Sequence, residues 1–417
     1  MQRFRIEGGK SLCGVVDIQG AKNSILPIMA ATLVADGECV IENCPDISDT
    51  HTALEILRTL GALVKHRGNT VTVDCRNVLD YEIPDALMRK MRSSVIFLGA
   101  LLSRHGKAVI SFPGGCELGP RPIDLHLSAL EKMGVTIREE FGCLFCNGTV
   151  LEGCEIPLAF PSVGATENIM LAAVRAKGTT VITNAAKEPE IEDLQNFLNE
   201  MGANICGAGT GTVVIRGVNG LTGCTHRVIP DRIVTATYLC AVAATRGNAL
   251  LRGTCPQHNR ALVSVLRQCG CELEEQGDLL RIACDNLLAA RRIRTMPYPG
   301  FPTDAQAPFM GLMCVAKGST VFVETIFENR YKHIAELQRM GAHITPEGRV
   351  AVVEGVRRLH GAPVQATDLR GGAALMIAAL AADGITEISD IYHIDRGYER
   401  PEQVLSQLGA SILRVEH

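Results

Sequence analysis

One loop of the sequence places a thiol and a guanidinium on backbone that cannot form a regular helix or strand. It runs from Ser111 to Arg121 and holds three glycines and two prolines around Cys116. Glycine allows positive φ and close approach to a ligand, and proline stiffens the flanks. Such a loop either presents Cys116 to a substrate or is a surface turn with an incidental thiol.

A lysine stands where a small anion could bind. Lys22 lies in Gly20-Ala-Lys-Asn23, between a predicted strand and an Ala-rich predicted helix. The amino end of a helix favours an anion, so Lys22 suits a phosphate or carboxylate there. The alternative is a solvated lysine on a turn.

Two aspartates are further candidates. Asp304 follows Pro302 and Thr303, a context typical of a helix cap. Asp368 and Arg370 have the spacing of an ordinary ion pair on an exposed turn. Capping and ion pairing are the ordinary roles of such aspartates, and these residues alone do not assign them another.

The elements that must position these groups repeat along the chain. A phrase with a central glycine recurs at intervals of 73, 68, 68, 71 and 68 residues, beginning at Leu60, Met133, Met201, Cys269, Met340 and Leu408. A second glycine recurs in step, at Gly37, Gly106, Gly178, Gly247, Gly318 and Gly384. Two markers with one period indicate six copies of one unit.

Each unit predicts the same sequence of elements. An amphipathic helix such as 193–201 ends at the marker glycine, which serves as its C′ residue, and a strand follows. A nearly apolar run such as 166–176 predicts a helix buried on most sides, which needs sheets around it. We therefore expect two α/β domains of three units each, and a tandem solenoid is the alternative.

Composition excludes several functions. The chain has 417 residues, 47% hydrophobic and 21% charged, with a formal charge of −4. This length predicts two domains of about 200 residues. The chain has no basic stretch with interleaved aromatics, so nucleic acid is not an expected partner. No uncharged apolar run approaches the roughly 18 residues of a membrane span, so no membrane partner is expected.

Sixteen cysteines are dispersed without framework spacing, and the amino terminus has no apolar signal core. We expect a reducing cytoplasm, with thiols such as Cys240 and Cys314 acting as small core hydrophobes. Cys143 and Cys146 form a single CxxC without a second pair or histidine, so a zinc or redox role is not favoured.

Four phrases together resemble a known family. They are Gly20–Ser24, Phe112–Asp124, Ser162–Thr166 and Tyr392–Glu399. They resemble the UDP-N-acetylglucosamine enolpyruvyl transferases, which share a family with 5-enolpyruvylshikimate-3-phosphate synthase. The likeness runs from Phe4 to about Val415 and implies two inside-out α/β barrel domains, 21–229 and 1–20 with 230–417, with the active site in the cleft between them.

The resemblance implies a reaction and its substrates. The enolpyruvyl group of phosphoenolpyruvate would pass to the 3′-hydroxyl of UDP-N-acetylglucosamine with release of phosphate, the first committed step of peptidoglycan synthesis. No cofactor or metal is implied, and the enzyme is expected to be a monomer. Both substrates are polyanions, which suits bidentate arginines and compact lysines. The implied cations are Lys22, Arg92, Arg121, Arg330, Arg370 and Arg396.

The resemblance also assigns roles. It makes Asp304 the general base, places Asp368 among the catalytic groups, and makes Cys116 a general acid or a thiolate that takes up phosphoenolpyruvate and is the target of fosfomycin. The implied catalytic set is Cys116, Asp304, Lys22, Asp368 and Arg396. The implied substrate-binding set is Lys22, Asn23, Arg92, Arg121, Pro122, Ile123, Asp124, Leu125, Ser162, Val163, Gly164, Asp304, Ile326, Arg330, Arg370 and Arg396.

Two positions depart from the family pattern. Phe160 stands where some members carry a lysine, so the resemblance brings no charged nucleotide contact to this position. Gly371 and Gly372 follow Arg370 and are expected to loosen that turn. Structural roles near the hinge are expected for four further residues: Glu188, Glu190, Asp231 and Arg232.

The sequence leaves two alternative functions. The sister enzyme that uses shikimate 3-phosphate shares the donor and the fold, but it would lack the cysteine loop and the Ser162–Gly164 contacts. A catalytically idle paralogue that binds UDP-sugars would be expected to have lost part of the catalytic set.

Overall fold

The computed structural model describes residues 2–112 and 123–416. Contacts divide these residues into two units. We call residues 20–112 with 123–229 the central unit, and residues 2–19 with 230–416 the terminal unit. The predicted cysteine-loop residues Cys116, Arg121 and Pro122 lie outside the described residues.

The strands and helices are short. In residues 2–112 the strands are β1 Arg3–Glu7, β2 Cys13–Asp17, β3 Glu38–Glu42, β4 Leu63–Arg67, β5 Thr70–Asp74, β6 Glu82–Ile83 and β7 Lys107–Ser111. In residues 123–229 they are β8 Thr136–Glu140, β9 Cys143–Asn147, β10 Glu155–Pro157, β11 Thr179–Thr183, β12 Asn204–Cys206, β13 Thr212–Arg216 and β14 Thr225–Arg227. In residues 230–416 they are β15 Asn248–Arg252, β16 Glu272–Gln276, β17 Leu279–Ala283, β18 Ile293–Arg294, β19 Ser319–Val323, β20 His343–Glu347, β21 Val350–Glu354, β22 Pro363–Gln365, β23 Ile385–Ser389 and β24 Ser411–Val415.

The helices follow the same repeat. They are α1 Lys22–Ala31, α2 Ser48–Thr59, α3 Asp85–Lys90, α4 Phe97–His105, α5 Asp124–Lys132, α6 Val163–Ala173, α7 Pro189–Glu200, α8 Arg232–Ala244, α9 Arg260–Cys269, α10 Thr303–Met313, α11 Ile334–Arg339, α12 Leu369–Ala381, α13 Tyr392–Asp395 and α14 Pro401–Gln407. Short 3₁₀ turns cover Thr32–Val34, Arg92–Ile96 and Pro256–Asn259.

Within the described residues the strands form six four-stranded sheets, three in each unit. Every sheet has one parallel pair followed by two antiparallel pairs, as in β10-β11-β13-β12. In the terminal unit, β1 pairs with β23 and β24, and β2 lies parallel to β15. The sixfold repeat is therefore confirmed as two sets of three, and the solenoid alternative is wrong.

The apolar helices lie inside their units, as predicted. In the central unit α4 packs on α1 and α6, and in the terminal unit α8, α10 and α12 pack on one another. Every residue of α8 is buried. A helix without a polar face needs neighbours on all sides, and α8 has α10, α12 and strands β15 and β17 beside it. Cys240 and Cys314 are fully buried, in agreement with their expected role as core hydrophobes.

The six marker glycines end their helices. Gly61, Gly134, Gly202, Gly270, Gly341 and Gly409 all have φ between 90° and 109°. A left-handed C′ residue closes the last helical turn and turns the chain into the next strand, as the sequence predicted. Among the described residues, no helix is both long and apolar enough to cross a membrane.

Candidate active site

In the terminal unit one carboxylate is shared by two buried guanidinium groups. Asp304 Oδ1 lies 2.8 Å from Arg330 Nη2, and Asp304 Oδ2 lies 3.0 Å from Arg370 Nη2. Both arginine side chains are less than 5% exposed, whereas that of Asp304 is 27% exposed. Two buried guanidinium groups beside a partly exposed carboxylate offer charged hydrogen-bond donors that suit an anionic ligand.

The start of α10 aims Asp304 at these arginines. Pro302 is the N-cap residue and makes no side-chain cap, while Asp304 is the second residue of the helix. The helix-cap interpretation of Asp304 is therefore wrong, because its carboxylate points to the arginines. Thr303, the first helical residue, donates to the buried carboxylate of Glu324 at 3.0 Å and so fixes where the helix begins.

Glu324 also holds the loop that contains Ile326. Its Oε1 accepts hydrogen bonds from the backbone N–H of Ile326 at 2.8 Å and from Thr295 Oγ1 at 3.0 Å. Sequence reasoning predicted Ile326 as a binding residue but missed Glu324, which ties its loop to the first turn of α10. A glutamate directly after an apolar strand is a weak signal that could have indicated this role.

Asp368 caps α12 and bonds to the backbone of Arg370. Its Oδ1 accepts from the backbone N–H of Arg370 at 2.9 Å and of Gly371 at 3.0 Å. Burial alone would raise the pKa of Asp368, but the charge of Arg330 and these N–H groups more than offset it, so the pKa lies below its usual value. Asp368 is 7% exposed, so the exposed ion pair considered from sequence is wrong.

A tyrosine supports the other side of Arg370. Arg370 Nη1 lies 3.3 Å from Tyr398 Oη, which is 2.8 Å from Thr237 Oγ1. Burial alone would lower the pKa of Arg370, but the charge of Asp304 and the contact with Tyr398 raise it above its usual value. Sequence reasoning included Tyr398 in a family phrase without giving it a role. Arg396, in the same phrase, directly follows α13.

The two glycines after Arg370 do not loosen the turn. They lie in the first turn of α12, where a Cβ on Gly372 would stand 2.5 Å from Ile394 Cγ1 and a Cβ on Gly371 would stand 3.0 Å from His333 Cβ. That expectation was wrong because the missing side chains allow α12 to pack closely on its neighbours.

In the central unit Lys22 is the first residue of α1 and only 8% exposed. Its Nζ lies 2.9 Å from the buried carboxylate Oδ2 of Asp49 in α2. The alternative of a solvated lysine on a turn is therefore wrong. Asn23, which follows, is half-buried at the same helix end.

The two segments predicted to bind the nucleotide meet at one histidine. Ile123, Asp124 and Leu125 begin α5, and Ser162, Val163 and Gly164 begin α6, where Ser162 Oγ accepts from the N–H of Ala165 at 3.3 Å. A Cβ on Gly164 would lie 3.2 Å from His126 Cε1 and 3.4 Å from Nε2. Sequence reasoning missed His126, although it directly follows the predicted segment.

The protonation of His126 is set by its neighbours. Its Nδ1 lies 2.9 Å from Asn168 Nδ2, which can only donate, so Nδ1 accepts and the ring is neutral. The Asn168 amide is oriented because its Oδ1 accepts from the N–H of Gly99. Burial, followed by the charge of Arg92, lowers the pKa of His126 to about 4. Arg92 itself is half-buried and starts the 3₁₀ turn Arg92–Ile96.

Two other residues considered from the sequence lie at the surface and at a helix start. Phe160 is 42% exposed, and Asp231 caps α8 by accepting from the N–H groups of Ile233 and Val234. Among residues 2–112 and 123–416, no group of three or more His, Cys, Asp or Glu side chains is arranged to hold a metal ion.

Solved structures place the fold in a known class. The crystal structure of the enolpyruvyl transferase NikO from Streptomyces tendae aligns with a TM-score of 0.90 and 29% identity over 99% of each chain. EPSP synthase from Acinetobacter baumannii aligns over 100% of each chain with a TM-score of 0.77, and at 18% identity this likeness concerns the fold alone. The fold of two three-repeat units is that of the enolpyruvyl transferases.

Sequence comparison gives the family. The profile for EPSP synthase (3-phosphoshikimate 1-carboxyvinyltransferase) matches residues 6–405, and the chain belongs to this family. The chain is 54% identical over 416 residues, covering 100% of both chains, to UDP-N-acetylglucosamine 1-carboxyvinyltransferase 2 of Caldanaerobacter subterraneus. It is 48% identical over 100% of both chains to UDP-N-acetylglucosamine 1-carboxyvinyltransferase of Desulfosudis oleivorans.

Proposed function

We propose that this protein transfers the enolpyruvyl group of phosphoenolpyruvate to the 3′-hydroxyl of UDP-N-acetylglucosamine and releases phosphate. The observation that carries the proposal is the Asp304 carboxylate held between Arg330 and Arg370. The full-length likeness to enzymes named for this nucleotide sugar supports the choice of acceptor. The reaction is the first committed step of peptidoglycan synthesis.

The arginine pair explains when Asp304 can act as a base. Two guanidinium groups on one carboxylate stabilise its charged form and make it a weak proton acceptor. A substrate phosphate or carboxylate competes for the same guanidinium donors. Binding of phosphoenolpyruvate would therefore weaken the ion pairs of Arg330 and Arg370 with Asp304, and the carboxylate could then accept a proton.

The proposed chemistry is an addition followed by an elimination. The 3′-oxygen of the sugar bonds to C2 of phosphoenolpyruvate, its proton passes to Asp304, and C3 gains a proton to become a methyl group. The resulting tetrahedral ketal then loses a proton from C3, the bond from C2 to the phosphate oxygen breaks, and inorganic phosphate leaves. Lys22, Arg330, Arg370 and Arg396 would stabilise the phosphate and carboxylate charges.

Cys116 would supply or accept the proton at C3, or take up phosphoenolpyruvate as a thiolate. Asp368 would act through Arg370, because it caps the helix that carries this arginine. Asn23 and Ile326 would contact the sugar nucleotide.

The central unit would hold the nucleotide. Ser162, Val163 and Gly164 lie at the amino end of α6, where the first backbone N–H groups of the helix suit a planar base and a diphosphate. Arg92 would add charge, and Ile123, Asp124 and Leu125 would line the other side. Arg121 and Pro122 complete this proposed set.

We propose that the enzyme acts as a monomer in the cytoplasm without a cofactor. The division into domains 21–229 and 1–20 with 230–417 stays a prediction, as does the joint action of both sets of residues on one substrate pair.

The deciding experiment measures inorganic phosphate released by purified protein given phosphoenolpyruvate and UDP-N-acetylglucosamine. Phosphate should appear only when both substrates are present, and a chelator should not reduce the rate. Shikimate 3-phosphate as acceptor tests the sister activity. Binding of the nucleotide sugar without phosphate release would indicate an idle paralogue and would sink the enzyme proposal.

A further inference from the structure

A chain of buried polar groups lies behind the start of α1 in the central unit. Asp193 Oδ1 lies 3.0 Å from His226 Nε2, and its Oδ2 accepts from Ser24 Oγ and from the backbone N–H of Ile229 at 3.3 Å. Ser24, Asp193 and His226 are 0%, 3% and 6% exposed. Asp193 thus connects α1, α7, β14 and the end of the central unit.

His226 must carry a proton on both ring nitrogens for this arrangement. Its Nδ1 lies 2.9 Å from Glu200 Oε2, so each nitrogen meets a carboxylate oxygen, which only accepts. Burial alone would lower the pKa of His226, but Asp193 and then Glu200 more than offset it and raise the pKa. The rings of Phe197 and His226 make a T-shaped contact with their centroids 5.5 Å apart.

Burying an aspartate with an imidazolium is costly unless both are fully hydrogen-bonded. Packing of α1 alone does not require such groups, because an apolar side chain at Ser24 could fill the space. The ion pair instead fixes the orientation of the first turn of α1, because Asp193 bonds to Ser24, which directly follows Lys22 and Asn23 in that turn. The same turn is tied to Ile229, whose carbonyl accepts from the N–H of Ala21 at 2.8 Å.

We propose that the Ser24–Asp193–His226 chain positions Lys22 and Asn23 for the phosphorylated substrates, so that Asp193 and His226 are positioning residues. This inference rests on the proposed function, because it assigns Lys22 and Asn23 to substrate binding. It adds residues from α7 and β14 that touch no substrate themselves.

The test compares two variants that each interrupt the Ser24–Asp193–His226 hydrogen-bond chain with one matched control variant. Ser24→Ala removes a single hydroxyl from the chain, and Asp193→Asn removes the charge with little change of shape. Asn199→Ala is the control: Asn199 also lies on α7 but bonds to Ile205 through Nδ2 at 2.8 Å and Oδ1 at 2.9 Å, away from α1.

Both chain variants should raise KM for the substrates by about tenfold, the effect expected when one hydrogen bond to a charged group is lost. The control should lose stability but keep KM. Hydrogen exchange of the amides in residues 20–31 should quicken in the chain variants and not in the control. An unchanged KM and unchanged exchange in Ser24→Ala overturns the proposal, even when Asp193→Asn fails to fold.

The two proposals fail in different ways. If the wild-type protein releases no phosphate, the proposed function fails, and the exchange of residues 20–31 alone decides the positioning role. Faster exchange in Ser24→Ala would then support it, and equal exchange would overturn it. If the wild-type is active and KM does not change in either chain variant, the function stands and the positioning role is wrong.

Discussion

Arg370 Nη2 lies 3.0 Å from Asp304 Oδ2, whereas Asp368, two residues before Arg370, bonds to backbone N–H groups instead. The two aspartates therefore have different roles. Asp304 shares its carboxylate between two guanidinium groups, and Asp368 starts the helix that aims one of them. A general base should be accessible and able to change its hydrogen bonds, and of the two only Asp304 meets this condition.

Asp304→Asn should abolish most turnover while the variant still binds the nucleotide sugar. The amide cannot accept the proton of the 3′-hydroxyl, so kcat should fall by roughly 10²- to 10⁴-fold. Phosphate release and calorimetric binding of UDP-N-acetylglucosamine measure the two effects. Asp17→Asn is the control, because it breaks an exposed pair with Arg252 in the same unit. Full activity in Asp304→Asn would remove Asp304 as the base.

Tyr398→Phe should weaken use of phosphoenolpyruvate without loss of the fold. The hydroxyl links Arg370 to Thr237, so its removal frees the guanidinium to turn and costs about 1 kcal/mol of stability. We expect KM for phosphoenolpyruvate to rise more than KM for the nucleotide sugar. Thr237→Val tests the same link from its far end. Equal kinetics in wild-type and Tyr398→Phe would show that Arg370 needs no such support.

The repeat was predictable from sequence because its markers are local. A C′ glycine such as Gly202 and an apolar run such as 166–176 each impose their structure on a few residues, and both predictions are confirmed. The partners of charged groups were not predictable in this way. Asp304 and Arg370 are 66 residues apart, and only the packing of α10 on α12 brings them together.

The missed residues show the same limit. Glu324, His126 and Tyr398 bond to Thr303, Asn168 and Arg370, which are distant in sequence, so their immediate context gives at most a weak signal of these partners. The prediction for the glycine pair 371–372 failed for a related reason. Two glycines in sequence suggest a flexible turn, but here they allow close packing against His333 and Ile394, which are distant in sequence.

Cys116→Asp should keep turnover but resist fosfomycin. An aspartic acid can still move a proton, whereas it lacks the nucleophilic thiolate that an epoxide alkylates. The rate of phosphate release before and after incubation with the drug measures both properties. Cys206→Ser changes an exposed thiol elsewhere and should remain sensitive. Inhibition that survives in Cys116→Asp would place the reactive group at another residue.

Gly372→Ala should destabilise the protein by about 1–3 kcal/mol, the usual cost of overpacking. The added Cβ would lie 2.5 Å from Ile394 Cγ1, so α12 or α13 must shift. Urea unfolding measures the effect. Gly220→Ala is the control, because its Cβ would meet nothing closer than 3.7 Å. Equal stability of the two variants would mean that α13 yields without cost.

The neutral state of His126 predicts an acid-side loss of stability. The folded protein holds the pKa of His126 at about 4, while the unfolded chain takes up this proton near the usual value of about 6.5. Between these pH values the unfolded state binds more protons, so the free energy of unfolding falls as pH falls. At pH 4 this histidine should account for a loss of up to about 3 kcal/mol.

Replacing His126 separates its contribution to the pH dependence of the unfolding free energy from that of the other titrating groups. His126→Gln keeps a group that can accept from Asn168 Nδ2 but has no proton to gain in this range. The difference in unfolding free energy between wild-type and variant should therefore shrink, or change sign, as pH falls from 6.5 to 4. His360→Gln, at an exposed position, is the matched control. Parallel curves for wild-type and His126→Gln would mean that the folded protein accommodates the imidazolium, and the assignment of Nδ1 as an acceptor would be wrong.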